Sequence, residues 1–214
     1  NDHVKSIERI IVYSHEEVDR FDENLRDRFI FMHYPSKKGL VDVKENSTGN
    51  YVFCGGNHKR DHKSFFEAIR GTGIPAKVVT DTELPEDIPE NVETFGHLPL
   101  DEYIQMMSDS RFIVVPLIES KIPHGHCDIS NALSVNKAVI TTKSATASDY
   151  IKDGKEGLLV KPGDVESYKW AIEKLWNDEE YRKMLEENVK SQSENITYET
   201  FAKRVLGEIE KLLA

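Results

Sequence analysis

Residues 112 to 142 read FIVVPLIESKIPHGHCDISNALSVNKAVITT. The stretch begins and ends with short apolar runs that are typical of buried strands, at residues 112–117 and 137–142. A polar loop at residues 123–128 and a short helical pattern at residues 129–135 lie between them. This order places a helix N-terminus at the carboxyl edge of a parallel sheet, where doubly wound folds hold nucleotides and phosphates. The stretch therefore predicts an α/β fold with an anion-binding loop.

The chain from residue 51 onward repeats this alternation. Further short apolar segments occupy residues 51–54, 76–80, 92–96 and 157–160, and helical patterns separate them. Such spacing is typical of a parallel sheet that is covered on both faces. We therefore predict an α/β, Rossmann-like, doubly wound parallel sheet with three C-terminal helices. The apolar stripes of those helices are expected to pack in the core.

The segment before residue 51 has a different character. It holds two short apolar strands, at residues 8–13 and 29–32, and Ser14 resembles a helix N-cap. Residues 36–50 are mostly polar, which is typical of a linker. We place the main boundary near residue 48, which gives two regions, residues 1–48 and residues 49–214.

Composition excludes several classes of function. The net charge of -10 argues against a nucleic-acid-binding protein, which needs a dominant basic surface. The longest apolar runs are about six residues, whereas a membrane-spanning helix needs roughly 20. The two cysteines, Cys54 and Cys127, lack the paired spacing of a disulfide framework. These features predict a soluble protein of the reducing cytoplasm.

A glycine pair follows the strand at residues 51–54. Gly55, Gly56 and Asn57 allow the backbone to approach a ligand, and Arg60 and Lys63 bring positive charge to the same edge. The loop lacks the third glycine of the dinucleotide fingerprint and the Gly-Lys-Ser/Thr ending of a P-loop. Classical NAD binding and ATP hydrolysis are therefore disfavoured. On its own, the pattern is equally typical of a tight turn with solvated charges.

The second loop contains His124, Gly125, His126, Cys127 and Asp128. Imidazole, thiol and carboxylate groups could ligate zinc. However, adjacent ligands on one loop rarely close a tetrahedral site, and the sequence offers no second cluster. We expect no metal here. Contact of His124, the Gly125 N–H and the helix N-terminus with a phosphate or hydroxyl group is the favoured interpretation.

Five motifs now occur in order, and together they resemble a known family. They are the glycine loop with Arg60-Asp61, residues 95–98, residues 115–117, residues 124–140 and residues 149–164. Residues 50–213 resemble the C-terminal half of the GT-B glycosyltransferases, specifically the retaining family four, also called glycosyl transferases group 1. Residues 1–48 resemble the end of the N-terminal, acceptor-binding half, and most of that half is expected to be missing.

The resemblance implies that this half binds a nucleotide sugar, of UDP or GDP type, and transfers the sugar to a glycan, lipid or small acceptor. It implies that Arg60 and Lys63 neutralise the diphosphate as catalytic residues, and that neither a metal nor a separate cofactor is needed. The remaining donor-binding residues that it implies are Gly55, Gly56, Asn57, Phe95, Leu98, His124, Gly125, His126 and Asn131.

One departure from the family pattern bears on activity. The family usually carries two glutamates separated by seven residues, and the second grips the ribose hydroxyls; here these positions are Pro123 and Asn131. Asn131 could bond a hydroxyl through its amide, without a charge-assisted bond. A non-catalytic nucleotide-sugar-binding module therefore remains an alternative. A GT-B-like sugar-nucleotide epimerase is another, although it demands paired carboxylates, of which the sequence shows no clear pair.

The expected partners follow from the same resemblance. They are the nucleotide sugar and the missing acceptor domain, and no nucleic acid is expected. An isolated half would expose its cleft face, which is compatible with a homodimer. Peripheral membrane association through the missing half is equally compatible with this interpretation. The expected setting is glycan biosynthesis.

Overall fold

A computed structural model describes residues 6–44 and 49–213. Its strands are β1 (Ile10–Val12), β2 (Phe29–Phe31), β3 (Val52–Gly55), β4 (Ala76–Val79), β5 (Val92–Phe95), β6 (Phe112–Val115), β7 (Val139–Thr142) and β8 (Gly157–Val160). Its α-helices are α1 (His62–Ile69), α2 (Leu100–Asp109), α3 (His126–Ser134), α4 (Ala145–Tyr150), α5 (Val165–Asn177), α6 (Glu179–Lys190) and α7 (Tyr198–Leu213). None of the helices in these ranges combines the length and apolar composition needed to cross a membrane.

The main sheet has six strands in the order β5-β4-β3-β6-β7-β8, and every neighbouring pair is parallel. The chain therefore builds outward from β3 in one direction and then restarts from β6 in the other. This reversal is the topological switch point at which doubly wound sheets bind ligands. All residues of β3 and β6 are buried, as continuous apolar strands in a covered parallel sheet require. The predicted fold class is confirmed.

Helices cover both faces of this sheet. On one face, Phe65 of α1 and Tyr168 and Ile172 of α5 pack in one apolar cluster. On the other, Ile104 of α2 and Ile129 of α3 belong to a second cluster. The two clusters confirm a sheet covered on both sides, which fixes the carboxyl ends of β3 and β6 in a rigid frame.

Helix α3 begins at His126, three residues before the helical pattern suggested. The reason lies in Gly125, which takes a left-handed conformation (φ +84°) as the N-cap residue and turns the chain directly into the helix. Residues 126–128, predicted to be a loop, therefore form its first turn. This difference moves Cys127 and Asp128 to the helix N-terminus.

The N-terminal segment packs against the Rossmann-like domain. β1 and β2 form a small parallel sheet, and Ser14 caps a 3₁₀ helix (His15–Arg20) through a capping box with Glu17. Part of the predicted linker is ordered, since Lys37–Leu40 form a further 3₁₀ helix. The predicted boundary near residue 48 lies outside the described residues.

The expectation of three core helices is correct for α5 and α6 but wrong for α7. Helices α5 and α6 bury apolar residues, whereas α7 buries none of its described residues. Instead α7 lies along the N-terminal segment, where Arg204 donates to the Phe31 carbonyl oxygen at 2.9 Å and the Phe201 ring lies 6.3 Å from that of Tyr13. The apolar periodicity of α7 indicates one apolar face, and the described residues cover that face only in part.

Candidate functional site

A cavity of about 490 Å³ opens at the carboxyl edge of the sheet. It is enclosed by the loops that follow β3, β4 and β5, by the first residues of α2 and α3, and by one turn of the N-terminal segment. Its lining residues are Lys37, Gly56, Asn57, Val79, Thr80, Asp81, Gly96, His97, Leu98, Leu100, Tyr103, Cys127, Asp128 and Asn131.

Gly56 follows the end of β3 and forms a turn that lines the cavity. Its φ of +110° is a conformation that other residues rarely adopt. A Cβ atom here would lie 2.3 Å from Arg60 Nη2 and 2.6 Å from Asp128 Oδ2. Glycine is therefore required, because both the backbone angle and the close approach of the two charged side chains exclude a larger residue. Gly55 does not line the cavity, but its carbonyl oxygen accepts a hydrogen bond from Arg60 Nε at 3.0 Å.

Behind Gly56, three side chains form a buried polar network. Arg60 Nη2 donates to Asp128 Oδ2, and Tyr103 Oη donates to Asp128 Oδ1 at 2.9 Å. Burial, followed by the neighbouring Asp128 carboxylate, raises the pKa of the Tyr103 hydroxyl well above its ordinary value, so Tyr103 remains a neutral donor. The network joins the loop after β3 to α2 and α3, and it holds the cavity wall together.

This network limits what Arg60 is free to do. Its side chain is only 4% exposed, and its guanidinium is engaged with Asp128 and with backbone carbonyl groups. To contact a phosphate, Arg60 would have to leave the Asp128 carboxylate. Lys63 is exposed on α1 and is not among the lining residues. The phosphate role expected for both residues stays a prediction.

Asn57 ties two loops of the cavity wall together. Its Nδ2 donates to Asp81 Oδ2 at 2.9 Å, and its Oδ1 accepts from the Asp81 backbone N–H at 2.8 Å. Thr80 Oγ1 donates to the same Oδ1 at 3.2 Å. The side chain thus joins the carboxyl ends of β3 and β4, and the binding role expected for it stays a prediction.

The N-terminus of α3 meets the cavity. Gly125 has no side chain with which to cap the helix, so the first N–H groups receive no side-chain cap there. A Cβ atom on Gly125 would lie 2.8 Å from Leu117 Cδ1, which holds the turn close to the strand end. Because Cys127 and Asp128 of the first turn line the cavity, the positive end of the helix dipole lies beside it.

The two loop histidines do not line the cavity. Both ring nitrogens of His124 contact backbone carbonyls, Nδ1 that of Ile122 at 2.7 Å and Nε2 that of Ile118 at 3.1 Å, so this side chain holds its own loop. His126 stacks on Tyr13, and burial lowers the pKa of its imidazole. Residues 6–44 and 49–213 contain no group of three potential metal ligands.

The loop after β5 contributes one of its two predicted residues. Leu98 lines the cavity together with Gly96 and His97. Phe95 is part of the strand instead: its carbonyl oxygen accepts the Thr80 N–H at 3.0 Å, and its ring packs with the second apolar cluster. Of the predicted site residues, the structure therefore brings Gly56, Asn57, Leu98 and Asn131 together in the cavity wall.

Asn131 and Lys37 contact each other in the cavity wall. Asn131 is 3% exposed, and its Oδ1 accepts a hydrogen bond from the Lys37 backbone N–H at 2.8 Å. Sequence reasoning missed Lys37, because residues 36–50 were interpreted as a linker. No local pattern could have revealed it, since the two partners lie 94 residues apart.

The residues that form the cavity wall belong mostly to a stretch that matches a known protein family. Residues 42–192 match the family described as glycosyl transferases group 1. The chain belongs to this family. The resemblance expected from the sequence motifs is confirmed, and the cavity lies within the matched glycosyltransferase region, apart from Lys37.

Relatives of this group 1 domain give the same picture. An uncharacterized glycosyltransferase of Methanocaldococcus jannaschii is 26% identical over 201 residues, which cover 90% of this chain and 56% of the relative. The chain therefore spans little more than half the length of that protein.

Solved structures support the fold at lower identity. A glycosyltransferase from Rickettsia africae superposes with a TM-score of 0.79 at 14% identity, covering 100% of this chain and 67% of that one. HepE of Anabaena, solved with UDP and glucose, gives 0.78 at 14% identity and covers 95% and 63%. The pneumococcal O-GlcNAc transferase GtfA, solved with UDP and GlcNAc, gives 0.75 at 11% identity and covers 99% and 46%. These likenesses confirm the Rossmann-like fold of a GT-B C-terminal domain.

The wall of the cavity in this glycosyltransferase domain combines two kinds of chemical group. Val79, Leu98 and Leu100 supply apolar surface, as a planar base requires. Lys37 and the N-terminus of α3 supply positive charge and N–H donors, as an anion requires. The arrangement therefore suits a ligand that joins an aromatic base to a negatively charged group.

Proposed function

We propose that this cavity binds the nucleoside diphosphate part of a nucleotide sugar, and that the chain supplies the donor-binding half of a glycosyltransferase. The observation that carries the proposal is the position of the cavity at the switch point between β3 and β6. There it lies between the Gly56 turn and the α3 N-terminus, in a domain of the group 1 family. The first N–H groups of α3 receive no cap from a side chain at Gly125 and can donate to an anionic ligand.

The donor is proposed to be a UDP- or GDP-sugar. Its base would lie against the apolar lining residues Leu98 and Leu100, and its diphosphate would lie beside the N-terminus of α3. HepE and GtfA, which share the fold, are each described in complex with UDP.

The proposed reaction is transfer of the sugar with retention of configuration to a glycan, lipid or small acceptor. Negative charge grows on the diphosphate as the sugar–phosphate bond breaks, and the α3 dipole with its N–H groups would stabilise that charge. On this proposal neither a metal nor a separate cofactor is needed. The acceptor would be bound by the rest of the longer protein, and the proposed setting is cytoplasmic glycan biosynthesis.

A non-catalytic nucleotide-sugar-binding module is the second candidate. Asn131 occupies the position at which the family usually has its second glutamate, and its Oδ1 is already bonded to the Lys37 N–H. This side chain therefore lacks the charged acceptor that would grip the ribose hydroxyls in catalysis. A donor-hydrolysis assay on the longest obtainable gene product separates the two candidates, because only the enzyme releases free sugar from its donor.

Thermal unfolding with UDP, GDP and inorganic phosphate tests the binding proposal. Ligand at a hundred times its Kd adds about 2.7 kcal/mol of stability, which raises the Tm by roughly 5–10 °C for a protein of this size. The expected result is a rise with UDP or GDP and a smaller one with phosphate. Unchanged Tm values with both nucleotides would contradict the proposal.

A matched pair of variants locates the binding. Leu98→Glu places a carboxylate among the apolar lining residues of the cavity, and we expect it to weaken nucleotide binding at least about tenfold. Ile88→Glu makes the same change at an exposed residue outside the cavity and should leave the affinity unaltered. Equal affinities in both variants would show that the nucleotide binds elsewhere.

A further inference from the structure

The charged residues that line the cavity differ in whether they have a partner of opposite charge or a hydrogen-bond partner. Lys37 is the only lysine or arginine among the fourteen lining residues of the described chain. Of the two carboxylates, Asp128 is paired with Arg60, and Asp81 lies 3.6 Å from His97 Nδ1 and accepts a bond from Asn57. The lining carboxylates thus have polar partners of their own.

Lys37 differs from these groups. No ion pair to its ammonium group is found within residues 6–44 and 49–213, and its side chain is half-buried in the cavity wall. Its charge also acts on Cys127 in the first turn of α3: burial raises the pKa of that thiol, and Lys37 opposes the rise. The ammonium group and the positive end of α3 therefore act on the same part of the cavity.

The backbone around Lys37 is held in place from two sides. Asn131 Oδ1 accepts the Lys37 N–H at 2.8 Å, and the Ser36 N–H donates to the Ile196 carbonyl oxygen at 2.8 Å. Ser36 is buried, and the 3₁₀ turn Lys37–Leu40 follows at once. Because this backbone is already fixed, no further backbone entropy is lost when the Lys37 side chain binds an anion.

We propose that Lys37 is the cation that neutralises the donor diphosphate, and that Asn131 is the positioning residue that holds it there. This inference rests on the proposed function, since it names the residue that recognises the negatively charged part of the ligand. Arg60 cannot serve the same purpose without abandoning the buried Asp128 carboxylate. Asn131, where the family usually has glutamate, thereby acts through the segment that carries Lys37.

Comparison of UDP with uridine tests the role of charge, with GDP and guanosine measured in parallel. Lys37→Ala should bind the diphosphate about 10-fold to 100-fold more weakly, because a charge-assisted contact is lost, while nucleoside affinity stays within about twofold. Lys37→Arg should restore most of the loss. Lys38→Ala is the control, because it removes the same charge from the next residue, which lines a different cavity.

A double-mutant cycle tests the positioning role of Asn131. Asn131→Ala should weaken UDP binding severalfold without an equal loss for uridine, and it should add less than about twofold in the Lys37→Ala background. If Asn131 instead gripped the ribose, uridine and UDP would weaken together and the two substitutions would be additive. Thermal unfolding of each variant without nucleotide separates lost binding from lost folding.

The outcomes distinguish this inference from the function on which it rests. If the unmodified protein binds UDP or GDP and Lys37→Ala binds it equally well, the inference is overturned while the proposed function stands. Equal loss of UDP and uridine binding in Lys37→Ala would indicate a structural role and would also overturn it. If the unmodified protein binds neither nucleotide, both are overturned.

Discussion

At the scale of single residues, Arg60 and Asp128 form an ion pair beneath the cavity wall. Both side chains are largely buried, and Tyr103 supplies the second carboxylate oxygen with a donor. A buried pair of this kind adds little net stability compared with apolar residues, but the loss of one partner leaves an uncompensated charge. Its main consequence here is to hold the loop after β3, helix α2 and helix α3 in fixed positions relative to one another.

Arg60→Ala is therefore expected to lower the free energy of unfolding by about 3–5 kcal/mol, because Asp128 remains buried without its cation. Chemical denaturation measures the loss, and Lys63→Ala on the exposed side of α1 serves as the control, with a change below about 0.5 kcal/mol. Adding Asp128→Ala should recover part of the loss. A stable Arg60→Ala protein would show that the pair does not hold the wall.

The buried His62 should make the free energy of unfolding depend on pH. It is 5% exposed, Nε2 has no hydrogen-bond partner among the described residues, and burial, followed by the charge of Arg60, lowers its pKa to about 4. Between that value and the unfolded pKa near 6.5, only the unfolded chain binds the proton. Stability should therefore fall as the pH drops from about 6.5 to 4, by about 3 kcal/mol from this group.

His62→Gln removes the titrating group and should flatten the pH dependence in that range. Chemical denaturation at several pH values provides the measurement. The pKa values of His33 and His126 are also lowered by burial, so a smaller slope of the same sign should remain in the variant. Identical slopes for both proteins would assign the effect to other residues.

At the scale of elements, the connection from β6 to α3 depends on Gly125. Its left-handed backbone and its contact with Leu117 allow the helix to begin close to the strand end. The strand end is held in turn by Thr142, whose Oγ1 accepts the Leu117 N–H at 2.6 Å and donates to the Leu117 carbonyl oxygen at 2.9 Å. These contacts set the position of the α3 N-terminus in the cavity wall.

Gly125→Ala should consequently destabilise the protein by about 1–3 kcal/mol, through a strained backbone angle and contact of the new Cβ with Leu117. Nucleotide binding should weaken as well, because the start of α3 must shift. Gly39→Ala is a matched control: its Cβ would meet nothing within 4 Å, so a neutral or slightly positive effect is expected. Equal stability of the two variants would contradict this account of the turn.

At the scale of the whole molecule, Asp149 and Tyr150 at the end of α4 join the N-terminal segment to the main domain. Asp149 Oδ2 accepts from Ser14 Oγ and from the His15 N–H, each at 2.9 Å. Tyr150 Oη accepts the Tyr34 N–H and donates to the Tyr13 carbonyl oxygen, each at 3.0 Å. The segment that carries Lys37 therefore has a specific attachment as well as apolar contacts.

Asp149→Ala should loosen this attachment while the six-stranded sheet stays intact. We expect amide exchange in β1 and β2 to rise at least about tenfold, since the side-chain bonds to Ser14 and His15 are lost, and exchange in β3 and β6 to stay unchanged. Asp153→Ala serves as a control, because its Oδ1 accepts the N–H of Leu159 in β8, away from the N-terminal segment. Unchanged exchange in β1 would show that apolar contacts alone hold the segment.

Local pattern in the sequence was enough to predict the alternation of strands and helices, the Rossmann-like sheet and the glycine turn after β3. These features depend on local periodicity, burial and backbone freedom, which neighbouring residues express directly. The family motifs added the expected donor loop, and the comparisons confirmed the family. The apolar stripe of α7 was also evident in the sequence, but the sequence pattern did not show whether other residues cover that stripe.

Which charged side chains face the cavity depends on contacts between residues that are far apart in the sequence. Arg60 is paired with a residue 68 positions away, and Lys37 reaches Asn131 across 94 positions. The burial and pairing of a charged side chain depend on contacts between distant segments. Arg60 follows a glycine turn, yet its charge is neutralised by Asp128. Lys37 lies in a polar segment, yet it lines the cavity. The same physical reason explains why the start of α3 and the docking of the N-terminal segment could not be predicted from local pattern.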